Sequence, residues 1–341
     1  MKDVKTVGLD LAKNVFYVHG VNAHGKTVLR KKLARSKVLE FFANLPPCLV
    51  GMEVGGGSHY WAREIGALGH DARMMSPQFV KPYVKTDKTD PNDAEGICEA
   101  VSRPTMRFVP VKNHNQQDIQ SIHRIRERLV TARTALGNEI RGFLGEYGIA
   151  IPTGIRVLTK TLPELIADES NKLTPMMREL MLELLKELRE INEAISQYND
   201  RIESIRQSNP VAKRLTSIPG VGPITATAIV AHVSDASLFK NGRQFAAYLG
   251  LVPRQRGSGG KTRQLGISKR GDKYIRTMLV HGARVVVTRN ESVQHTPKIR
   301  KWVHDLKERR GMNKATVALA NKNARMAWAV MMKGEDFKWA A

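Results

Sequence analysis

Residues 4–21 read Val-Lys-Thr-Val-Gly-Leu-Asp-Leu-Ala-Lys-Asn-Val-Phe-Tyr-Val-His-Gly-Val, and this stretch decides the fold of the first third of the chain. Apolar and polar residues alternate over Val4–Leu9, which is typical of a half-buried strand, and Val15–Val21 is predicted as a second strand. A third predicted strand, Thr27–Leu33, follows a glycine turn. We therefore expect a three-stranded antiparallel meander, with Asp10 directly after its first strand.

Strands and helices alternate after the meander. The pattern predicts a helix over Ser36–Asn44, a strand over Leu49–Val54, a helix over His59–Leu68, a strand over Asp71–Met75 and a helix over Asp90–Ser102. Asp90 is expected to cap the last helix, with Pro91 at its first position. A meander followed by helix, strand, helix, strand and helix is the order of a ribonuclease-H-like α/β fold. We expect such a domain over residues 1–110.

Two long amphipathic helices are predicted within residues 111–210. Apolar residues recur at steps of three and four over Gln117–Tyr147 and again over Pro175–Ile205, which gives a coiled-coil-like stripe. The segment Ile149–Thr174 contains two prolines and a glycine, and it is interpreted as a connector. The pair of helices could form an antiparallel hairpin spacer or a dimerisation element, and the spacing favours neither decisively.

The charge of the chain is strongly positive and unevenly distributed. Lys and Arg number 55 against 32 Asp and Glu, a formal net charge of +23. Counted by segment, residues 1–110 carry +5, residues 111–210 carry 0 and residues 211–341 carry +18. This balance argues against an ordinary metabolic enzyme. It predicts a polyanionic partner, nucleic acid before an anionic membrane surface, that binds mainly the last third.

The two cysteines and the hydropathy pattern indicate the compartment. Cys48 and Cys98 are too few for a disulfide scaffold or a Cys-rich zinc site, and lone thiols fit a reducing cytosol. The N-terminus lacks the apolar region of a signal peptide, and no stretch approaches the roughly 18 apolar residues of a membrane span. We expect a cytoplasmic protein with no membrane partner.

A helix-hairpin-helix is predicted at the start of the basic segment, residues 211–341. The stretch Ile218-Pro-Gly-Val-Gly-Pro separates a helix from a second helix of small residues. Gly220 and Gly222 would allow backbone N–H groups to approach a phosphate at a helix N-terminus. The alternative is a tight helix–helix turn that binds no ligand. The segment as a whole is expected to be mostly α-helical.

Ser258 lies in the most basic part of this segment, between glycines. The nearby cations are Arg254, Arg256, Lys261, Arg263, Lys269 and Arg270. Such side chains hold phosphates by charge or by paired hydrogen bonds. A serine hydroxyl is a poor nucleophile until a base or a metal activates it, and no His, Asp or Glu is adjacent in sequence. On the residues alone, Ser258 is more readily a flexible-loop serine than a nucleophile.

Four carboxylates of the first segment follow the order of a ribonuclease-H-like metal site: Asp10, Glu53, Asp90 and Asp93. Two of them end predicted strands, and the other two lie three residues apart on one helix face. Mg²⁺ prefers oxygen ligands, and paired ions stabilise both oxygens of a phosphodiester displacement. The set therefore predicts a Mg²⁺ site. Competing carboxylates are Asp87, Glu95 and Glu99, of which the last two are interpreted as solvated helix charges.

These segments together resemble the insertion-sequence transposases with a DEDD motif, the IS110 and IS1111 group, which are bridge-RNA-guided recombinases of bacteria. The segments that carry the resemblance are Gly8–Lys13, Gly51–Val54, Lys85–Ala94, Ile218–Pro223 and Tyr248–Asp272. The resemblance covers essentially the whole chain.

The resemblance implies a function for each part of the chain. It implies a RuvC-like domain whose four carboxylates bind Mg²⁺, and a transposase domain in which Ser258 attacks DNA and forms a covalent phosphoserine link. It also implies donor and target DNA, a structured guide RNA that supplies sequence choice, and a homodimer or homotetramer with composite sites. Ser268 is the second candidate nucleophile, and Ser217 is a remote third.

Two other functions stay open at this stage. A RuvC-like nuclease, such as a junction resolvase, would use the carboxylates and water alone, and Ser258 would be structural. A non-enzymatic nucleic-acid-binding protein would tolerate neutral replacements of all four carboxylates.

Overall fold

The computed structural model describes residues 3–85, 89–233, 235–289 and 297–338. Asp87, one of the competing carboxylates, lies outside the described residues, as do both of its neighbours. No helix in the described ranges is both long and apolar enough to cross a membrane.

The chain folds into two compact units. The first is Met1–His114 with Val233–Asp235, and the second is Asn115–His232 with Ala236–Ala341. The first unit is mixed α/β, and the second is mostly helical. The helices on either side of residue 210 belong to the same unit. The predicted domain division at that residue stays a prediction.

A six-stranded sheet forms the centre of the first unit. Its strands are β1 Thr6–Asp10, β2 Val15–Val21, β3 Thr27–Ala34, β4 Leu49–Glu53, β5 Asp71–Met75 and β6 Phe108–Val109. Their spatial order is β3-β2-β1-β4-β5-β6. The first three strands pair antiparallel, as the predicted meander requires, whereas β1, β4 and β5 run parallel. The two-residue β6, antiparallel to β5, was not predicted.

Helices cover both faces of this sheet: α1 Val38–Ala43, α2 Ser58–Ala67, α3 Pro77–Val80 and α4 Asp90–Val101. Phe42 of α1 and Trp61 of α2 belong to the core on one face, together with Leu9. Ile97 of α4 belongs to the core on the other face, together with Met75. The central strands are therefore enclosed, and burial of this apolar surface is what fixes them in place.

The start of α4 differs from the prediction. Thr89 is the N-cap, without a side-chain hydrogen bond, and Asp90 and Pro91 are the first two helical residues. A proline is tolerated there because the first turn has no intrahelical use for its N–H. Asp90 is therefore not the N-cap residue of α4.

Two glycines bring α4 directly onto the sheet. Gly8 of β1 is paired with Gly51 of β4. A Cβ on Gly8 would lie 2.0 Å from the carbonyl oxygen of Ala94, and one on Gly51 would lie 2.6 Å from the Cβ of Val101. No larger residue fits at either position without moving the helix. These contacts also identify the sheet face that carries Gly8 and Gly51 as the α4 face.

The second unit begins with two long antiparallel helices. The helices from here on are α5 His114–Glu146, α6 Ile155–Ala167, α7 Pro175–Ser208, α8 Pro210–Leu215, α9 Pro223–His232, α10 Gly242–Tyr248, α11 Lys273–Thr288, α12 Pro297–Arg310 and α13 Met312–Lys333. Arg126 donates to Asn199 at 2.6 Å, and Arg133 donates to Asn192 at 3.2 Å. Residue numbers rise on α5 as they fall on α7, so the two helices form an antiparallel hairpin, one of the two arrangements that the sequence left open. A role in dimerisation stays a prediction.

The predicted connector between these helices contains a helix, α6, which was not predicted. Pro163 lies inside α6 and removes one backbone hydrogen bond. Leu158, Leu162 and Ile166 nevertheless fall at helical spacing and are buried in one core with residues of α5 and α7. Burial of this stripe outweighs the cost of the proline.

The second unit also contains a β-hairpin where only helices and loops were expected. Its strands are β7 Pro253–Ser258 and β8 Lys261–Ile267, and they form a separate two-stranded sheet.

Candidate functional site

The first two predicted carboxylates end neighbouring parallel strands. Asp10 is the last residue of β1, and Glu53 is the last residue of β4. Because Leu9 is paired with Met52, Asp10 and Glu53 occupy equivalent positions on the two strands. Neighbouring strands lie about 4.8 Å apart, so the register brings these two residues side by side.

Both carboxylates belong to the α4 face of the sheet. Side chains alternate along a strand, so Asp10 shares the face of Gly8, and Glu53 shares the face of Gly51. Helix α4 lies on that face and carries Asp90 and Asp93 in its first turn. All four predicted carboxylates are therefore contributed to one side of the sheet.

The four do not form a finished coordination shell. Within residues 3–85, 89–233, 235–289 and 297–338, no group of three or more His, Cys, Asp or Glu side chains could hold a metal ion. The chemistry of the set fits Mg²⁺, because every donor is a carboxylate oxygen. The register places Asp10 beside Glu53, and the assignment of all four carboxylates as metal ligands stays a prediction.

The competing carboxylates of α4 form ion pairs instead. Glu95 accepts a hydrogen bond from Arg30 at 3.1 Å. Glu99 pairs with Lys85 at 2.9 Å and with Arg103 at 2.6 Å. The hydrogen bond from Lys85 holds the pKa of Glu99 below its usual range. Both residues are half-buried and neutralised by these ion pairs.

Ser258 is the last residue of β7 and lies at the tip of the hairpin. Gly259 and Gly260 form the two-residue turn, with φ of +55° and +78°. Two successive positive φ angles define the tight hairpin turn that favours glycine at both positions. Ser258 is paired with Lys261 across this turn and is exposed to solvent.

One face of the hairpin is cationic and the other is uncharged. Arg256 is paired directly with Arg263, so these two residues share a face with the Ser258 and Lys261 pair. Arg254 joins this face by alternation along β7. The opposite face carries Gln255, Gly257, Thr262 and Gln264. We name the first set the cationic hairpin face: Arg254, Arg256, Ser258, Lys261 and Arg263.

The like charges of the cationic hairpin face destabilise the pairing of β7 with β8 unless an anion neutralises them. Like charges directly opposite each other destabilise a strand pair, and Arg256 faces Arg263 in this way. The ion pairs formed among the described residues include none of its four cations. An extended polyanion such as a nucleic-acid backbone would satisfy these charges.

The base of the hairpin is rigid. The N–H of Lys269 donates to the carbonyl of Gly250 at 3.1 Å, and the N–H of Ser268 donates to Val252 at 2.8 Å. A Cβ on Gly271 would lie 1.9 Å from the carbonyl oxygen of Tyr248. The two sequence motifs flanking the hairpin are therefore one packed structure, with Lys269 and Arg270 exposed on it.

The three candidate serines differ in their surroundings. Ser268 is half-buried at the hairpin base. The Ser217 hydroxyl donates to the carbonyl of Arg214 at 2.6 Å and accepts from the N–H of Phe337 at 2.8 Å, so it fastens a helix end. Ser258 alone of the three lies at an exposed tip, among cations, beside glycines.

The predicted helix-hairpin-helix corresponds to α8, a turn and α9. Gly220 has φ of +85°, and a Cβ there would lie 2.8 Å from the carbonyl oxygen of Gly282 in α11. Close helix packing therefore explains why a glycine occupies position 220. Gly222 has open space around it. Phosphate binding by Gly220 and Gly222 stays a prediction.

A polar network that joins the two ends of the hairpin segment was not predicted. Nε2 of His232 lies 2.9 Å from the hydroxyl of Tyr248, and Nδ1 lies 3.8 Å from the carboxylate of Asp272. Burial raises the pKa of Tyr248 to about 12. Asp272 also caps α11 by accepting from the N–H of Ile275 at 2.8 Å. Its position just before a helical run was the sequence signal that could have identified it.

A second buried histidine lies in the same unit. The His123 ring nitrogens lie 3.0 Å from the hydroxyls of Tyr274 and Thr227. Burial, with a contribution from the charge of Arg126, lowers the pKa of His123 to about 4. The ring is therefore neutral at pH 7 and is a structural link between α5, α9 and α11.

Comparisons with known proteins identify the family of the chain. Residues 7–149 match the model of the IS110-type DEDD transposase domain, and residues 212–297 match the model of the IS116/IS110/IS902 transposase family. The first match contains all four predicted carboxylates, and the second contains Ser258.

Full-length relatives are found as well. The chain is 50% identical to a probable family 20 transposase of Pseudomonas aeruginosa, over 97% of this chain and 98% of that protein. It is 44% identical to the transposase for insertion sequence element IS1111A of Coxiella burnetii, over 100% and 93%. It is 40% identical to the transposase for insertion sequence element IS1328 of Yersinia enterocolitica, over 99% of each. The chain therefore belongs to the IS110/IS116/IS902 family of insertion-sequence transposases, which are DNA-cleaving and rejoining enzymes.

Proposed function

We propose that this transposase breaks and rejoins DNA through Ser258, with Mg²⁺ held by Asp10, Glu53, Asp90 and Asp93. The observation that carries the proposal is the register of β1 and β4, which aligns Asp10 with Glu53 on the face where α4 begins. Two carboxylates on central strands beside a helix that starts with two more are the arrangement that phosphodiester chemistry with hard cations requires.

The fold of the first unit is proposed to be RuvC-like, within the ribonuclease-H-like class. Support comes from the strand order β3-β2-β1-β4-β5 with an antiparallel meander and parallel β1, β4 and β5. In that fold the metal ligands end the central strands, as Asp10 and Glu53 do here.

Mg²⁺ bound to the carboxylates would lower the pKa of an attacking oxygen and stabilise the charge that develops on the phosphate. The four side chains themselves hold the cation and exclude softer metals by offering only oxygen donors. They also fix where the scissile phosphate must lie, next to the carboxyl ends of β1 and β4.

Ser258 performs the bond exchange in this proposal. Its Oγ attacks the phosphorus, the Oγ–P bond forms, and the bond from phosphorus to one sugar oxygen breaks. The hydroxyl proton passes to solvent, and the departing sugar oxygen takes up a proton. An incoming sugar hydroxyl then reverses the exchange and releases Ser258. Phosphodiester bonds are conserved in number, so strands are rejoined without hydrolysis.

The cationic hairpin face holds the DNA backbone during this exchange. Its Arg and Lys side chains contact phosphates on either side of Ser258, and the glycine turn allows close approach of the DNA. Binding of this kind releases counterions, so the affinity should fall steeply with salt.

Activation of Ser258 is proposed to come from outside the hairpin. Strands β7 and β8 contain no His, Asp or Glu. The resemblance implies that the carboxylates and the serine of one composite site belong to different protomers of a homodimer or homotetramer. It also implies a structured guide RNA that pairs with donor and target DNA in the bacterial cytoplasm.

Trapping of covalent DNA adducts tests this proposal. Ser258→Ala should abolish the adduct, whereas Ser268→Ala should retain it. Asp10→Asn should also abolish it, because the nucleophile would no longer be activated. An undiminished adduct in Ser258→Ala would overturn the assignment. Strand cleavage that persists in Ser258→Ala but not in Asp10→Asn would establish water as the nucleophile, as in a resolvase.

A further inference from the structure

The antiparallel strands beside Asp10 extend its row of side chains across the sheet. Asp10 is paired with Tyr17 of β2, and Tyr17 is paired with Lys32 of β3. Together with Glu53, these residues form one row over four strands on the α4 face, which we name the cleavage row. With strands about 4.8 Å apart, Tyr17 lies about 5 Å from Asp10 along the row and Lys32 about 10 Å.

The neighbouring row is already neutralised. Gly8 is paired with His19, and His19 with Arg30. Arg30 donates to Glu95 of α4 at 3.1 Å, and Nδ1 of His19 lies 3.7 Å from the same carboxylate. Arg30 is thus engaged by an acid, while Lys32 takes part in no ion pair of the described residues.

A small cavity lies beside the cleavage row. It measures about 260 Å³ and is lined by Tyr17, Lys32 and Arg30 from the sheet and by Pro91 and Asn92 from the start of α4. Drug-sized ligands occupy about 300–1,000 Å³. This cavity therefore suits something smaller, such as one nucleotide. None of the four proposed ligands lines the cavity, but Tyr17, which does, is paired with Asp10 on the neighbouring strand.

Tyr17 and Lys32 offer the two groups that recognise an unpaired nucleotide. The Tyr17 ring is half-buried and fixed within the sheet, and Lys32 is exposed. The Lys32 ammonium lies 5.8 Å from the ring centroid, at the outer limit of a cation–π contact, so it is available to a phosphate. Aromatic rings bind bases of any sequence by stacking, and a nearby cation follows the backbone.

We propose that Tyr17 and Lys32 hold an unpaired nucleotide of the DNA substrate next to the cleaved phosphodiester. The base stacks on Tyr17, and its flanking phosphate pairs with Lys32. This inference rests on the proposed function, because Asp10 and Glu53 must mark the position of the scissile phosphate. A duplex must open there, since a base that remains stacked in the helix presents no face to Tyr17.

Photo-cross-linking of the full-length protein tests the inference. The probes are a single-stranded oligo-dT with one 5-iododeoxyuridine and the matching iodouridine-containing oligo-U RNA, and cross-linked residues are mapped by mass spectrometry. We expect a cross-link at Tyr17 with the DNA probe, retained in Tyr17→Phe. Lys32→Ala should reduce its yield about fivefold or more. A stronger cross-link with the RNA probe would overturn the assignment to the DNA substrate.

Lys37→Ala is the matched control for Lys32→Ala. Lys37 does not line the cavity, and its ammonium pairs with Glu40 at 2.9 Å. It removes the same charge and should leave the yield at Tyr17 unchanged. Absence of the Tyr17 cross-link, or equal losses in both lysine variants, would overturn the inference.

The cross-link requires no catalysis, so the two proposals fail separately. If Asp10→Asn abolishes the covalent DNA adduct but no cross-link forms at Tyr17, the metal site stands and the nucleotide site falls. If the cross-link forms but the adduct is unaffected by Asp10→Asn, Tyr17 binds nucleic acid away from any cleavage centre, and this inference falls with the proposed function.

Discussion

The carboxylate end of the sheet and the cationic hairpin face are built in opposite ways. Asp10 and Glu53 end central strands that have a hydrophobic core on each face and a helix packed directly on Gly8 and Gly51. Ser258 ends an edge strand of a two-stranded ribbon whose β7 residues are all exposed.

This difference matches the two proposed tasks. The proposed metal site needs carboxylates held in fixed positions, and the enclosed sheet supplies that rigidity. A two-stranded ribbon is marginally stable in water by itself, and opposed arginines weaken it further. The hairpin is anchored at its base, and its exposed tip would be free to adapt to DNA in the proposed reaction. The two regions should respond differently to metal, substitution, pH and salt.

Removal of divalent metal should separate the two regions most strongly. A chelator should lower the rate of DNA cleavage by at least about 10³-fold, because metal stabilisation of the phosphate charge contributes several kcal/mol. DNA binding by the cationic hairpin face should persist. Gel-based cleavage and filter-binding assays on the same samples measure both, with added Mg²⁺ as the control. Full cleavage in the presence of the chelator would contradict a metal site on the sheet.

Gly8→Ala should break the packing of α4 on the sheet. The new Cβ would meet the Ala94 carbonyl oxygen at 2.0 Å, and overpacking of this kind costs about 3 kcal/mol or more of unfolding free energy. Gly56→Ala is the control, because nothing lies within 4 Å of its Cβ. Urea denaturation measures both. Equal free energies of unfolding for the two variants would show that α4 is not packed tightly on the sheet at Gly8.

Lowering the pH should lower the free energy of unfolding of the second unit, in which His123 links α5, α9 and α11. The pKa of His123 is about 4 in the folded protein, against 6.5 as its ordinary value. Between these values the unfolded chain binds a proton that the folded chain does not, so the free energy of unfolding should fall as the pH drops from about 6.5 to 4. The loss is about 2–3 kcal/mol at pH 4.5.

Urea denaturation of the second-unit signal at pH 7 and pH 4.5 checks this expectation. His123→Gln keeps a polar side chain without a titrating ring, and it should remove that part of the pH dependence. If the free energy of unfolding falls as steeply with pH in His123→Gln as in the wild type, groups other than His123 cause the effect.

Arg256→Gln should have the smallest effect and should act on the hairpin alone. It removes one phosphate contact, so DNA affinity should fall about tenfold, and the slope of log affinity against log salt should shrink by about 1. The free hairpin should gain a few tenths of a kcal/mol, because Arg263 loses its like-charged partner. Gln255→Ala, on the uncharged face, should change neither quantity. An unchanged salt slope in Arg256→Gln would contradict the role of this face.

Local patterns predicted much of the first unit. The bounds of β2 and β5 are confirmed at Val15–Val21 and Asp71–Met75, and α4 begins at Asp90, one residue before the predicted first helical position. These elements are marked by short apolar runs or by a proline near a helix start, and such signals act within a few residues. Local signals did not predict α6, because its packing between longer helices outweighs the effect of Pro163.

The β-hairpin was not predicted either, for a different reason. Gly259-Gly260 between polar strands was a turn signal, yet no apolar alternation marked the strands, because both faces are exposed. Spacing in the sequence therefore identified Ser258 and its cations without showing that four of these cations share one face with it. That arrangement depends on the pairing of β7 with β8.

The candidate residues can be read from the amino-acid sequence: four carboxylates in a fixed order, a serine among cations, and a basic excess of +18 after residue 210. Which of these residues are neighbours follows only from the folded chain. Asp10 and Glu53 are 43 positions apart in the chain, and they meet through the parallel register of β1 and β4. Asp10, Tyr17 and Lys32 align through antiparallel pairing. Strand register depends on burial of whole sheet faces, which no local run of residues encodes.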